Sequence, residues 1–182
     1  GDYDCLVGFG GGSPMDTAKA MAILGAAPTG AKMRDFKVPA QANRGALPVV
    51  CIPTTAGTGS EATRVTIITD EESSEKMLCM GLAFLPTIAI VDFELTLTKP
   101  RRLTADTGID SLTHAIEAYV SKRANPFSDA VALSAMKLIA ANIRRACDVP
   151  DDRAAREAMM VGAHHGGLFL APGQKLGKLA ID

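Results

Sequence analysis

Residues 4–16 read Asp-Cys-Leu-Val-Gly-Phe-Gly-Gly-Gly-Ser-Pro-Met-Asp, and the reading of this stretch decides the fold. Residues 4–9 are a short apolar run of strand length that passes straight into Gly10, Gly11 and Gly12. Ser13 has the side chain of a good N-cap, Pro14 suits a first helical position, and Asp16 stands where a capping box would put its acid. The stretch therefore predicts strand, glycine turn and helix, the helix passing through Asp16, Lys19 and Ala22 and stopping near Gly25. At such a junction free N–H groups and the helix dipole face outward, ready for a phosphate. The pattern departs from GxGxxG, since Ser13 replaces the last glycine, and no Gly-Lys-Ser/Thr follows as in a P-loop. A glycine-rich βα turn can equally be a tight turn and nothing more.

Further along, a second buried-looking strand at 47–52 ends in PTTAGTGSE, residues 53–61, after a Pro-, Gly- and Lys-rich loop. Two polar glycine turns at the carboxyl ends of strands would flank one crevice, where open α/β sheets bind nucleotides. Residues 65–69 and 76–80 read as a hairpin around the polar turn 70–75, and 88–91 as one more strand. Lys76 begins its strand near these turns, as a ribose or phosphate contact or as a solvated charge. Beyond Leu97 the period becomes helical, at 100–107, 109–121, 128–147 and 153–167, punctuated by Pro100, Pro126 and Pro150. The fold class expected is α/β plus all-α. A partial nucleotide-binding α/β domain at 1–98 is followed by the start of a helical metal-binding domain at 99–168 and an atypical tail at 169–182.

Within the helical part, Asp110 and His114 stand one turn apart on a common face. Ile109, Leu112, Ile116, Tyr119 and Val120 form a separate apolar stripe, and Ala115 and Ala118 line the remaining side. This distribution predicts a helix buried all round. A carboxylate and an imidazole side by side in such a place need compensation. A shared divalent cation supplies it; an ordinary ion pair is the alternative. Oxygen with imidazole nitrogen suits iron(II), zinc, manganese or nickel better than calcium or magnesium.

Composition bounds the rest. The 182 residues are 47% hydrophobic and 21% charged with a net charge of -1, which gives no reason to expect nucleic acid or an anionic membrane as partner. The four cysteines are widely spaced without a CxxC, as reduced thiols in a cytoplasmic protein would be. Neither a signal peptide nor a membrane span is legible. The first residue is not Met and the chain opens inside a strand pattern, so a fragment is expected.

Taken together, GGGSPMDTAK (10–19), PTTAGTGSE (53–61), LPTIAIVD (85–92) and TADTGIDSLTHAIEAY (104–119) resemble, in order and spacing, the iron-containing (group III) alcohol dehydrogenase family. The resemblance runs from about residue 4 to about residue 167. It implies a dehydroquinate synthase-like fold in which a nucleotide-binding α/β domain and a helical domain enclose the active site. It implies that Gly11, Gly12 and Ser13 meet the pyrophosphate of NAD or NADP with Asp16 nearby. Thr54, Thr55 and Thr58 correspond to a second cofactor turn, and Thr63, Lys76 and Leu103 to further cofactor-lining positions. Asp110 and His114 match two of four ligands to a catalytic divalent metal, usually Fe(II) and sometimes Zn(II).

The activity implied is reversible hydride transfer between NAD(P) and a small alcohol, with an aldehyde or ketone as product. A homodimer or larger homo-oligomer is implied as well. A glycerol dehydrogenase, a maleylacetate reductase or a hydroxyacid–oxoacid transhydrogenase would share both turns, and a non-catalytic nucleotide-binding remnant is the reading from another class. Two departures stand out. The strands that precede the glycine turn in relatives are missing, and residues 169–182 hold no His where relatives carry the third and fourth metal ligands. His164 and His165, the only other histidines, do not match those positions and read as a partly exposed helix pair.

Overall fold

A computed structural model describes residues 3–43 and 45–168; the expected atypical tail at 169–182 lies outside the described residues. In chain order the elements are β1 (Leu6–Gly10), α1 (Gly12–Ala26), β2 (Val49–Pro53), β3 (Val65–Thr69), β4 (Lys76–Met80), β5 (Ile88–Ala89), α2 (Arg101–Val120), α3 (Pro126–Asp148) and α4 (Arg153–Gly167). This is the α/β-then-helical order that the sequence predicts.

β1, β2 and β5 make a parallel sheet in the order β1-β2-β5, while β3 and β4 form a separate antiparallel hairpin. Leu6 pairs with Val49 and Gly10 with Pro53, so both strands end level. The Thr54 N–H then donates to Gly10 O at 2.8 Å. The two glycine turns therefore leave the sheet side by side.

α1 lies between the two sheets because it is apolar on two sides. Met15, Ala18 and Ala22 pack on Val49 and Cys51 of the parallel sheet, and Ile23 joins Met77, Cys79 and Phe84 on the hairpin side. Burying a side chain the size of Met15 or Ile23 stabilises by roughly 1.5–3 kcal/mol. The helix begins one residue before the expected cap. Gly11 is the N-cap, no side chain caps the helix, and Ser13 and Asp16 do not build a capping box. The reason is competition for the acid: Asp16 Oδ1 accepts from Ser60 Oγ at 2.6 Å and Oδ2 from the Ile67 N–H at 3.0 Å.

The helical part departs from expectation in two ways. The predicted helices at 100–107 and 109–121 are a single helix, α2, with Gly108 inside it. Gly108 is there for packing: a Cβ at that position would meet Met159 Cε at 2.7 Å and Ile143 Cδ1 at 2.9 Å. Secondly, α2 is not buried all round. Its packed side is the small one, with Thr104, Gly108, Ser111, Ala115 and Ala118 buried, whereas Ile109 (54%), Ile116 (44%), Tyr119 (43%) and Val120 (70%) are exposed. Small side chains let the axes approach closely, and Ala115 packs with Ala135, Ile139 and Ala146 of α3 and Ala155 and Met159 of α4. The Ser111 hydroxyl donates to Gly57 O at 2.7 Å, joining α2 to the second glycine turn.

Candidate functional site

Where the two turns meet the hairpin and α2 there is a cleft of about 380 Å³. Gly12, Ser13 and Asp16 come to it from the start of α1, and Thr58, Ser60 and Thr63 from the second turn. Thr69 and Lys76 come from the hairpin, and Asp110 and His114 close it from α2. A concave site of this size, lined mostly by hydroxyls and charged groups, is of the kind that takes a polar small molecule. Eight of the sequence-derived candidates (Gly12, Ser13, Asp16, Thr58, Thr63, Lys76, Asp110, His114) are thus brought together.

The others are not on that wall. Gly11 is the N-cap residue beside it. Thr54 is buried and held by Gly10 O. Thr55 turns to a cavity of about 10 Å³ on the far side of the turn, among Thr104, Thr107 and Arg156. Leu103 sits in the first turn of α2, three residues into an exposed helix start.

The wall formed by the two glycine turns is built on a buried cation that sequence reading left unassigned. Lys19 is fully buried, with Nζ donating to Ser60 Oγ (2.8 Å), Thr63 O (3.1 Å), Thr63 Oγ1 (3.2 Å) and Val65 O (3.0 Å). Burial pulls its pKa down to about 8, against the negative fields of Asp16 and Glu61, which hold it up. Ser60 relays the contact to Asp16 and so ties α1, the second turn and β3 together. Behind them burial pushes the Cys51 thiol up to about 11, which leaves it neutral and unreactive. Cys51, Cys79 and Cys147 are buried and unbridged, Cys5 exposed and unbridged.

On the opposite wall His114 Nε2 lies 3.5 Å from Asp110 Oδ1. The carboxylate is 47% exposed, so the expected buried acid is instead a cleft-facing one, because its side of α2 borders the cleft. His114 Nδ1 is buried and has no hydrogen-bond partner among the described residues. The pair fits a divalent ion: donors each about 2.1 Å from a tetrahedral centre stand roughly 3.4 Å apart, close to the spacing seen here. Among the described residues no group of three or more His, Cys, Asp or Glu surrounds a common point.

Two more groups were not separated from the background by sequence alone. Glu61 is buried and accepts from His164 Nδ1 at 3.1 Å, and His165 Nδ1 lies 3.4 Å from Ser134 Oγ. Both histidines are half-buried and engaged, and burial, with His164 alongside, pushes His165 below the usual imidazole range. The signal available was only that Glu61 closes the second glycine motif; its partner lies far along the chain. No helix of the described residues is long and apolar enough to cross a membrane.

A family model described as "Iron-containing alcohol dehydrogenase" matches residues 1–93, and one described as "Fe-containing alcohol dehydrogenase family, C-terminal" matches residues 104–176. The chain is 46% identical over 165 residues to the NAD-dependent methanol dehydrogenase of Bacillus methanolicus and 38% identical over 165 residues to the lactaldehyde reductase of Escherichia coli, covering 91% of itself in each case. It spans 43% of the length of each of these relatives. Among solved structures, the sulfoacetaldehyde reductase of Bifidobacterium kashiwanohense in complex with NAD+ superposes with a TM-score of 0.84 at 38% identity, over 91% of this chain and 44% of that one.

Proposed function

The chain belongs to the iron-containing alcohol dehydrogenase family, and from that premise we propose that it carries the nucleotide-binding and metal-binding halves of a site for reversible hydride transfer between NAD(P) and a small alcohol, with an aldehyde or ketone as product. The observation that supports this most directly is the single cleft lined both by the two glycine turns and by Asp110 and His114. Relatives named for oxidising methanol or reducing lactaldehyde, and a neighbour solved with NAD+, support the same reading.

In this reading Gly12 and Ser13 receive the pyrophosphate at the start of α1, where backbone N–H groups and the dipole favour anions. Thr58 and Thr63 border the path of the dinucleotide, and Lys76 faces it from the hairpin, within reach of a ribose or phosphate. Gly11 adjoins Gly12 and Ser13 as the N-cap residue of α1, and Thr54 shapes the second turn from within through its bond to Gly10. Asp110 and His114 would hold the divalent ion, Fe(II) before Zn(II), which would supply Lewis acidity toward the substrate oxygen. For its part the chain orients: the buried Lys19–Ser60–Asp16 link keeps the nucleotide wall fixed, and the Ser111–Gly57 bond keeps α2 at a set distance from it. The boundary between the two functional halves falls near residue 99. Buried, unbridged thiols support a reducing, cytoplasmic setting.

With two protein donors among the described residues, against the three usual in catalytic sites, this chain is expected to hold metal weakly and to turn over alcohol slowly. The test is to titrate NADH by fluorescence and Co(II) by its visible absorption into the chain. Binding of both, with the cobalt spectrum lost in Asp110→Asn and His114→Ala and NADH retained, is the expected result. NADH binding with no cobalt spectrum in the unsubstituted chain would leave Asp110 and His114 as an ordinary pair and favour the nucleotide-binding remnant.

A further inference from the structure

We propose that Glu61 and His164 are a positioning pair, which pins the second glycine turn to the last turn of α4 and so sets the nucleotide wall of the cleft against the wall that carries Asp110 and His114. The inference rests on the functional reading above in taking the cleft as a dinucleotide site.

The argument starts from a buried charge. The Glu61 side chain is 3% exposed, and a carboxylate so placed needs both a counter-charge and hydrogen-bond donors. Lys19 supplies field but no bond, since its ammonium donors are taken by Ser60, Thr63 and Val65. Among the described residues the hydrogen bond to the Glu61 carboxylate comes from His164 Nδ1, at 3.1 Å. His164 stands in the last turn of α4.

The surroundings make this contact a lever and not a local detail. Glu61 belongs to the 3-10 turn Ser60–Ala62, flanked by Thr58 and Thr63, which line the cleft. One turn of helix beyond His164, Gly167 lies against the backbone of Gly59: a Cβ on Gly59 would stand 2.5 Å from Gly167 Cα. Between them Gly166 backs onto α2, its Cβ position 3.1 Å from Ser111 O and 3.9 Å from His114 Cβ. A single helix end thus touches both walls. His164 is not among the residues lining the cleft, so its effect on a ligand passes through the turn that Glu61 holds.

The experiment compares the 182-residue chain with His164→Leu, His164→Asn and the double variant Glu61→Met/His164→Leu, reading NADH affinity and amide hydrogen exchange. His164→Leu leaves the carboxylate buried without its donor and is expected to raise the NADH Kd about tenfold. Exchange should quicken at residues 57–63 while residues 6–10 stay protected. His164→Asn keeps an N–H donor at the place of Nδ1, and the double variant replaces both partners by apolar groups; both are expected within about threefold of the parent. Unchanged affinity and exchange in His164→Leu would overturn the proposal, as would a His164→Asn variant as impaired as His164→Leu. If the parent chain takes no NADH, the dinucleotide reading fails, and exchange alone decides the pair: faster at 57–63 in His164→Leu upholds it, no change refutes it.

Discussion

The two walls of the cleft treat polar groups in opposite ways. On the side of the glycine turns the buried charges and the acid beside them are engaged: Lys19 is fully buried with four oxygen acceptors, Asp16 accepts from Ser60 and Ile67, and Glu61 accepts from His164. On the helical side Asp110 is half exposed and His114 Nδ1 is buried without a partner among the described residues. Saturated polar groups hold shape, whereas unsatisfied ones keep their bonding capacity for something that is not protein. On the proposed reading the first wall is scaffolding for a ligand that binds largely to backbone and hydroxyls, and the second is the ligating surface.

Substitutions on the first wall should therefore cost stability, and those on the second should cost binding alone. The largest effect is expected for Lys19→Ala, which strands Asp16 and Glu61 without their buried cation. A loss of roughly 3–5 kcal/mol in urea denaturation is the expected outcome. A loss below about 1 kcal/mol would erase the distinction between the walls. Gly59→Ala comes next. Gly59 has φ +62 and faces the Gly167 backbone, so an added methyl is both strained and obstructed. About 2–4 kcal/mol is expected, with nucleotide affinity falling alongside.

The pH dependence sharpens the same point. Lys19 titrates at about 8 in the fold and 10.5 when free, so between these values the unfolded chain binds the extra proton and stability rises with pH. Cys51 works the other way: its thiol, lifted to about 11 from 9.0, stays protonated in the fold while the unfolded thiol ionises, which costs stability above pH 9. Denaturation midpoints should rise from pH 8 to 9 by about 1 kcal/mol and then level off. Lys19→Met should abolish the rise. A midpoint that falls from pH 8 to 9 in the parent would mean that burial does not lower the Lys19 pKa in the fold.

The smallest stability change is expected on the second wall. His114→Leu and Asp110→Asn should stay within about 0.5 kcal/mol of the parent, or slightly above it for His114→Leu, because an orphaned nitrogen is removed. Cobalt affinity should nonetheless fall at least about tenfold in each, as when a ligand's supporting contacts are lost. Destabilisation by more than about 2 kcal/mol would move the pair from ligand binding to architecture.

The strength of local signals explains how much of this was legible. Strand, glycine turn and helix at 4–25 were readable because turn chemistry and apolar runs are local, and the hairpin at 65–80 for the same reason. Asp110 and His114 were readable because one helical turn separates them. The details that failed depend on partners distant in sequence. Asp16 gave up its capping role to Ser60 and Ile67, and Gly108 continued a helix because Ile143 and Met159 press on it. The apolar stripe on α2 predicts the packed face, whereas close helix approach selects the small residues. Nothing local marks Lys19, and only its acceptors on the second turn explain its burial; His164 and Glu61 are separated by 103 residues.

The close-packed back of α2 also bears on how this sequence can drift. Gly108, Ser111, Ala115 and Ala118 leave no room for growth, so nearly any enlargement there is an overpacking error. Positions 109, 113 and 116, open to solvent on the described surface, are free to sample other side chains. In a saturation-mutagenesis map one helix would look like two, a frozen edge and a permissive one, with Asp110 and His114 on the border. Variation in what the site accepts can then accumulate on the permissive edge without disturbing the frame that holds the ligands in place.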